Sequence, residues 1–159
     1  MELDTGDKIG VLLDRLNFHT TEMHRREEKE MRLFEWGTTL LLASFGAVLA
    51  LSDRSSPLPY PVVIKALATL LVLVPTAIFC IRILSERKSM IQQANLVVKL
   101  EDALHLFKEG FYISMQSLYP DYWRVKLPDA ARNRRTPLYF VIILLFLLAC
   151  VTATIWILL

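Results

Sequence analysis

The sequence predicts an all-α membrane protein: three transmembrane helices, the first two extended into a long antiparallel cytoplasmic helical hairpin. Three observations lead there. Apolar runs at 36–51, 61–84 and 137–159 dominate the 159 residues, and the third carries no charge. A hydrophobic share of 54% and a mean hydropathy of +0.41 exceed what soluble domains show, roughly 45–50% apolar. Neither glycine nor proline interrupts residues 11–36 or 76–109, so helices can run on beyond the apolar stretches.

Residues 1–35 read as a cytoplasmic amphipathic and charged helix. Ile9, Leu12, Leu13, Leu16 and Met23 recur at helical spacing, with His19 and Thr20 on the same face, which asks for a packing partner. From Glu22 to Glu35 charge takes over, and Glu22–Arg26 and Glu28–Arg32 have the i, i+4 order that supports a solvated helix. This acidic, charged start is unlike a cleavable export signal.

The first span, 36–51, is short at 16 residues. It needs Leu33 and Phe34 to reach across a hydrocarbon core about 30 Å thick, with Trp36 as an interfacial anchor. Ala43 and Ala47, with Gly46 and Ala50 beside them and Thr39 one turn earlier, form a small-residue face. Such faces let helix backbones approach closely in lipid, where packing and not water exclusion drives association.

Three serines and three prolines in 52–61 mark 52–60 as a short external loop. In the second span, 61–84, Lys65 sits one turn inside the outer end, where it can snorkel to the interface or face a water-filled path. Pro75 removes a backbone hydrogen bond and predicts a kink near Leu71. The helix is expected to continue as a cytoplasmic helix over 85–112, on a stripe of Leu96, Val97, Leu100, Leu104, Phe107 and Phe111.

Residues 113–136 turn aromatic and proline-rich, as suits a connector at headgroup depth. Pro137 fits the first turn of the third span, 137–159, whose 23 residues reach about 34 Å. Ala149 and Ala153 make a second small pair there. Cys80 and Cys150 fall at different depths, too far apart to bridge, and read as buried apolar residues.

Lysine and arginine set the orientation. Residues 1–35 carry six basic groups, 85–136 carry nine, and the 52–60 loop carries only Arg54. This places the N-terminus and the middle segment in the cytoplasm and the C-terminus outside. Arg132, Arg134 and Arg135 form the interfacial basic flank before the third span. A net charge of only +2 argues against a nucleic-acid partner.

No chemical signature accompanies this architecture. His19 and His24 are five apart, without a third ligand, and no phosphate loop, nucleophile elbow or acid pair within a span occurs. The expectation is a non-enzyme without cofactor or metal.

The layout does resemble a family. A charged helix feeding a span, a short outer turn, and a second span continuing as a cytoplasmic helix, with stretches such as HTTEMHRREEKEMRLFEW and SERKSMIQQANLVVKLEDALHLF, is similar over residues 10–112 to the SLATT domains. These are bacterial two-span domains of nucleotide-signalling and anti-phage loci, regarded as membrane pore effectors. The resemblance implies a bacterial inner-membrane protein and possession of a pore-forming, defence-effector role. The third span departs from the two-span pattern.

Two functions are therefore expected to compete. One is a homo-oligomeric channel whose cytoplasmic helices sense a signal, with Thr39, Lys65 and Thr69 lining the path, because polar groups at depth prefer protein or water to lipid. The other is a non-conducting scaffold that anchors a cytoplasmic protein. The expected partners are the lipid bilayer, further copies of the chain and that protein.

Overall fold

The computed structural model describes residues 5–52, 61–124, 129 and 135–158. Their architecture is all-helical, built on α1 (Thr5–Ser52), α2 (Pro61–Ala103) and α3 (Thr136–Leu158). Each of the three contains a stretch long and apolar enough to cross a membrane. No strand occurs among the described residues, where Ile113 and Gln116 make one isolated bridge. The 52–60 loop lies outside the described residues apart from Ser52, as do Arg132 and Arg134 of the basic flank.

The sequence explains these helices and their ends. α1 is free of proline, rich in Leu, Glu, Met and Arg, and carries Asp7 where the helix dipole favours an anion. α2 starts on Pro61, whose missing N–H would be unpartnered there in any case. It runs unbroken through Pro75. One residue on, the buried Thr76 donates its hydroxyl to the Val72 carbonyl at 2.7 Å, beside the hydrogen bond that proline cannot make. In α3 the first turn is closed by Tyr139 N–H to Arg135 O at 3.1 Å, with Pro137 buried.

Contacts divide the chain into two compact units, whose described residues fall in Met1–Glu28 with Glu86–Arg134, and in Lys29–Ser85 with Arg135–Leu159. The second unit holds the main hydrophobic core. Leu41 and Val48 of α1, Val72, Cys80 and Ile83 of α2, and Leu144, Val151 and Ile155 of α3 form one buried cluster. Leu33 and Phe34 lie against it, and the Phe34 ring stacks on Phe140 at 4.3 Å. Leu144, Leu148, Val151 and Ile155 advance by four, three and four residues, the spacing of a continuous helical seam.

The first unit is more polar. Along α1 its covered positions include Leu12, Leu16, His19, Met23 and Arg26, and along α2 they include Arg87, Met90, Ala94, Val97 and Glu101, with Glu86 and Gln93 covered beside them. Both sets step alternately by three and four, which is a heptad seam.

The structure corrects the expected helix over 85–112: α2 ends at Ala103. His105 N–H bonds to Asp102 O at 2.9 Å and Leu106 N–H to Glu101 O at 3.1 Å, with His105 at a φ of 59°. These are the paired bonds of a Schellman stop, whose left-handed position glycine usually fills. The chain then folds back. Leu106 O accepts from Tyr119 N–H at 2.9 Å, and the Tyr112 hydroxyl donates to Leu104 O at 2.8 Å. Buried Phe107 meets Tyr119 edge-on at 6.0 Å and the Arg124 guanidinium at 5.1 Å, while Arg124 also pairs with Asp102. Leu104 and Phe107 are thus buried by a local aromatic lobe and not as a helix stripe.

Candidate functional site

Lys65 and Thr69 are brought together; Thr39 is not part of their group. One turn apart on α2, the first two meet Trp156 near the end of α3. Lys65 Nζ donates to the Trp156 carbonyl at 3.1 Å, Trp156 Nε1 donates to Thr69 Oγ1 at 3.2 Å, and Thr69 Oγ1 donates to Lys65 O at 2.8 Å. The circuit is closed. It also suits the helix end: the last four carbonyls of a helix lack intrahelical donors, and a cation is favoured beside them. Thr39 is exposed and bonds back to Glu35 O at 2.8 Å. Lys65 therefore has a third use, as a donor to the terminal turn of another helix, besides snorkelling or facing water.

The small-residue faces lie outside the core. Ala43, Gly46, Ala47 and Ala50 of α1 and Ala149 and Ala153 of α3 are all exposed, and a Cβ added to Gly46 would meet nothing within 4 Å. Arg135 is exposed as well. The close approach within the unit is made elsewhere, at Gly37. A Cβ there would stand 3.0 Å from Leu144 Cδ2 and 3.4 Å from Phe79 Cδ2. Sequence reasoning missed Gly37; the available signal was a glycine in line with Leu41 and Val48, at spacings of four and seven.

The cysteines separate in the same way. Cys80 is buried in the core as expected, whereas Cys150 is exposed, which corrects its reading as a buried residue. Both are free thiols. α3 turns Leu144, Leu148 and Val151 inward, and Cys150 falls on the opposite face.

In the first unit, polar groups on α1 meet polar groups on α2. His19 Nδ1 donates to Gln93 Oε1 at 2.6 Å, and Arg26 pairs with Glu86 at 2.8 Å. The side chains of Arg26 and Glu86 are only 24% and 19% exposed, so water screens them incompletely. Arg26 thus turns to Glu86 and not to Glu22, which pairs with Arg25 one place earlier. Burial pushes the Glu101 carboxyl above its usual range.

Among the described residues, no three His, Cys, Asp or Glu side chains gather as metal ligands would. The described side-chain hydroxyls of Thr39, Ser44, Thr69, Thr76 and Thr154 donate to carbonyls one turn back. That arrangement satisfies polar groups in an apolar setting and holds no activated nucleophile. Comparison with protein-family models, curated proteins and solved structures returns no match to the chain.

Proposed function

We propose that this chain is a subunit of a homo-oligomeric membrane channel or pore, with a cytoplasmic helical hairpin as its sensing and assembly region. The carrying observation is the outward placement of every predicted packing alanine and of Gly46, while Leu, Val and Ile fill the chain's own core. Small side chains are favoured where helices approach in lipid. Faces left open within one copy are available to another.

Membrane insertion is supported by three apolar helices with 11–17% of their most apolar stretches buried within the chain. The remainder suits an apolar solvent. The antiparallel hairpin is supported by the two polar pairs: seven residues forward on α1, from His19 to Arg26, correspond to seven back on α2, from Gln93 to Glu86. The lysine and arginine asymmetry supports cytoplasmic placement of the N-terminus and the hairpin. A bacterial inner membrane and a defence role rest on the SLATT resemblance alone. The reading is non-enzymatic and needs no cofactor.

Pore lining remains assigned to Thr39, Lys65 and Thr69. Of these, exposed Thr39 is the one whose side chain faces away from the core. Three short spans cannot enclose an aqueous path, so conduction requires several copies. Purified protein in planar bilayers should give unitary currents, and the detergent-solubilised particle should have the mass of several chains. A monomeric or dimeric particle without conductance refutes the proposal.

One observation favours a non-conducting scaffold as the second reading. Ile9, Val11, Leu13 and Phe18 are about half exposed on α1, an apolar surface suited to a cytoplasmic protein. Under that reading, Val11→Glu with Phe18→Glu abolishes partner recovery in a pull-down and leaves particle mass unchanged.

A further inference from the structure

We propose that His19–Gln93 and Arg26–Glu86 act as a register lock, holding the cytoplasmic hairpin in one alignment and forbidding a slip by one heptad. The inference rests on the hairpin reading above. A seam that repeats every seven residues is degenerate, since a slide of seven restores apolar side chains to apolar positions. Leu16 and Met23 on one helix, and Met90 and Val97 on the other, are apolar pairs seven residues apart and by themselves do not distinguish alignments one heptad apart.

The polar pairs remove that degeneracy. A slide in one direction brings Arg26 to Gln93 but sets Glu86 opposite position 33, a leucine. A slide in the other direction brings His19 to Glu86 but sets Arg26 opposite position 79, a phenylalanine. Either slip strands one member of a charged pair that is now three-quarters or more covered. An incompletely solvated charge without a partner is costly, so both slipped states are suppressed. His19 and Gln93 fix the alignment a second time, because one slip sets His19 opposite position 100 and the other sets Gln93 opposite position 12, both leucines.

The lock has a mechanical consequence. A hairpin confined to one register transmits a signal by spreading, bending or twisting, and not by sliding in heptad steps.

Disulfide trapping in the full chain tests this, in a background with Cys80→Ala and Cys150→Ala. Met23→Cys with Ser89→Cys reports the native register, being four residues from the His19–Gln93 pair and three from the Arg26–Glu86 pair. Met23→Cys with Leu96→Cys and Met23→Cys with Arg82→Cys report the two slips, since a disulfide forms only when Cα atoms come within about 7 Å. In the parent background only the native pair should cross-link. Adding Arg26→Leu with Glu86→Leu should raise the slipped cross-links about tenfold or more, and Arg26→Glu with Glu86→Arg should restore native trapping.

Unchanged native-only trapping in the double-leucine chain overturns the lock and leaves the hairpin standing. No trapping at 23 and 89 in the parent background overturns the hairpin itself. If the double-leucine chain traps in no register, the charge-swapped chain decides, and loss of native trapping there refutes the lock.

Discussion

The two units solve the same packing problem with opposite materials. In the unit of Leu41, Ile83 and Leu144, the seam is apolar and is tightened by one glycine. In the unit of His19, Arg26, Glu86 and Gln93, similar heptad spacing carries polar and charged groups. The placement proposed above, lipid around the first and water around the second, accounts for the difference. Lipid is as apolar as leucine, so burying a methyl group there gains little and close contact must hold the helices together. Water rewards burial at about 25 cal/mol per Å², so an aqueous unit can spend part of its seam on polar pairs that specify alignment.

Gly37 against Gly46 is the sharpest way to break the comparison. Gly37→Leu should drive its side chain into Leu144 and destabilise the apolar unit by about 3 kcal/mol or more. A detergent thermal melt reads this as a large drop in Tm. Gly46→Leu should leave that melt nearly unchanged, because nothing lies near the added carbon. It should instead reduce particle mass in multi-angle scattering, if the α1 face joins subunits.

The polar unit should respond to backbone chemistry. His105→Gly relieves a left-handed non-glycine residue and should stabilise the Schellman stop by about 0.5–1 kcal/mol, seen as slower hydrogen exchange at Leu106. The loss of the His105 ring contact with Phe111, 5.0 Å away, opposes part of that gain.

Salt should separate the units more gently. Raising ionic strength weakens Arg26–Glu86 by a few tenths of a kcal/mol, so exchange protection around Met23 and Met90 should fall while that around Leu41 and Ile83 does not. The smallest expected effect concerns pH. The Glu101 carboxyl is held above its ordinary range by burial, so the folded state takes up a proton more readily than the unfolded one. The resulting penalty is present above the raised value and relieved as pH falls into the ordinary carboxylate range. Glu101→Gln should raise stability at neutral pH and flatten this slope, and an unaltered pH profile would show that the carboxyl is not desolvated.

The apolar helices were legible because composition alone reveals them, and Leu33 and Phe34 were already needed to complete the first. Which way each helix faces was not legible. Where nearly every residue is apolar, periodicity carries no contrast, and Gly37 could not be told from Gly46. The stop at Ala103 was hidden for another reason: glycine is the usual signal for a left-handed turn, and here histidine takes that conformation five residues before Gly110. The pairing of Arg26 with Glu86 was missed because neighbours along the chain were the only partners a local rule could offer. Lys65 was singled out as unusual, but its acceptor is a backbone carbonyl 91 residues away, which no side-chain pattern encodes.

That bond between Lys65 and the terminal turn of α3 bears on biogenesis. Translation delivers α2 before α3, so the ammonium is in place when α3 leaves the ribosome. α3 carries no charge within its own length; Arg135 flanks its start, and Lys65 of the earlier helix brings a cation to its last turn. Seating α3 against α2 is thus a step to which the earlier helix contributes the cation and the later one the carbonyl.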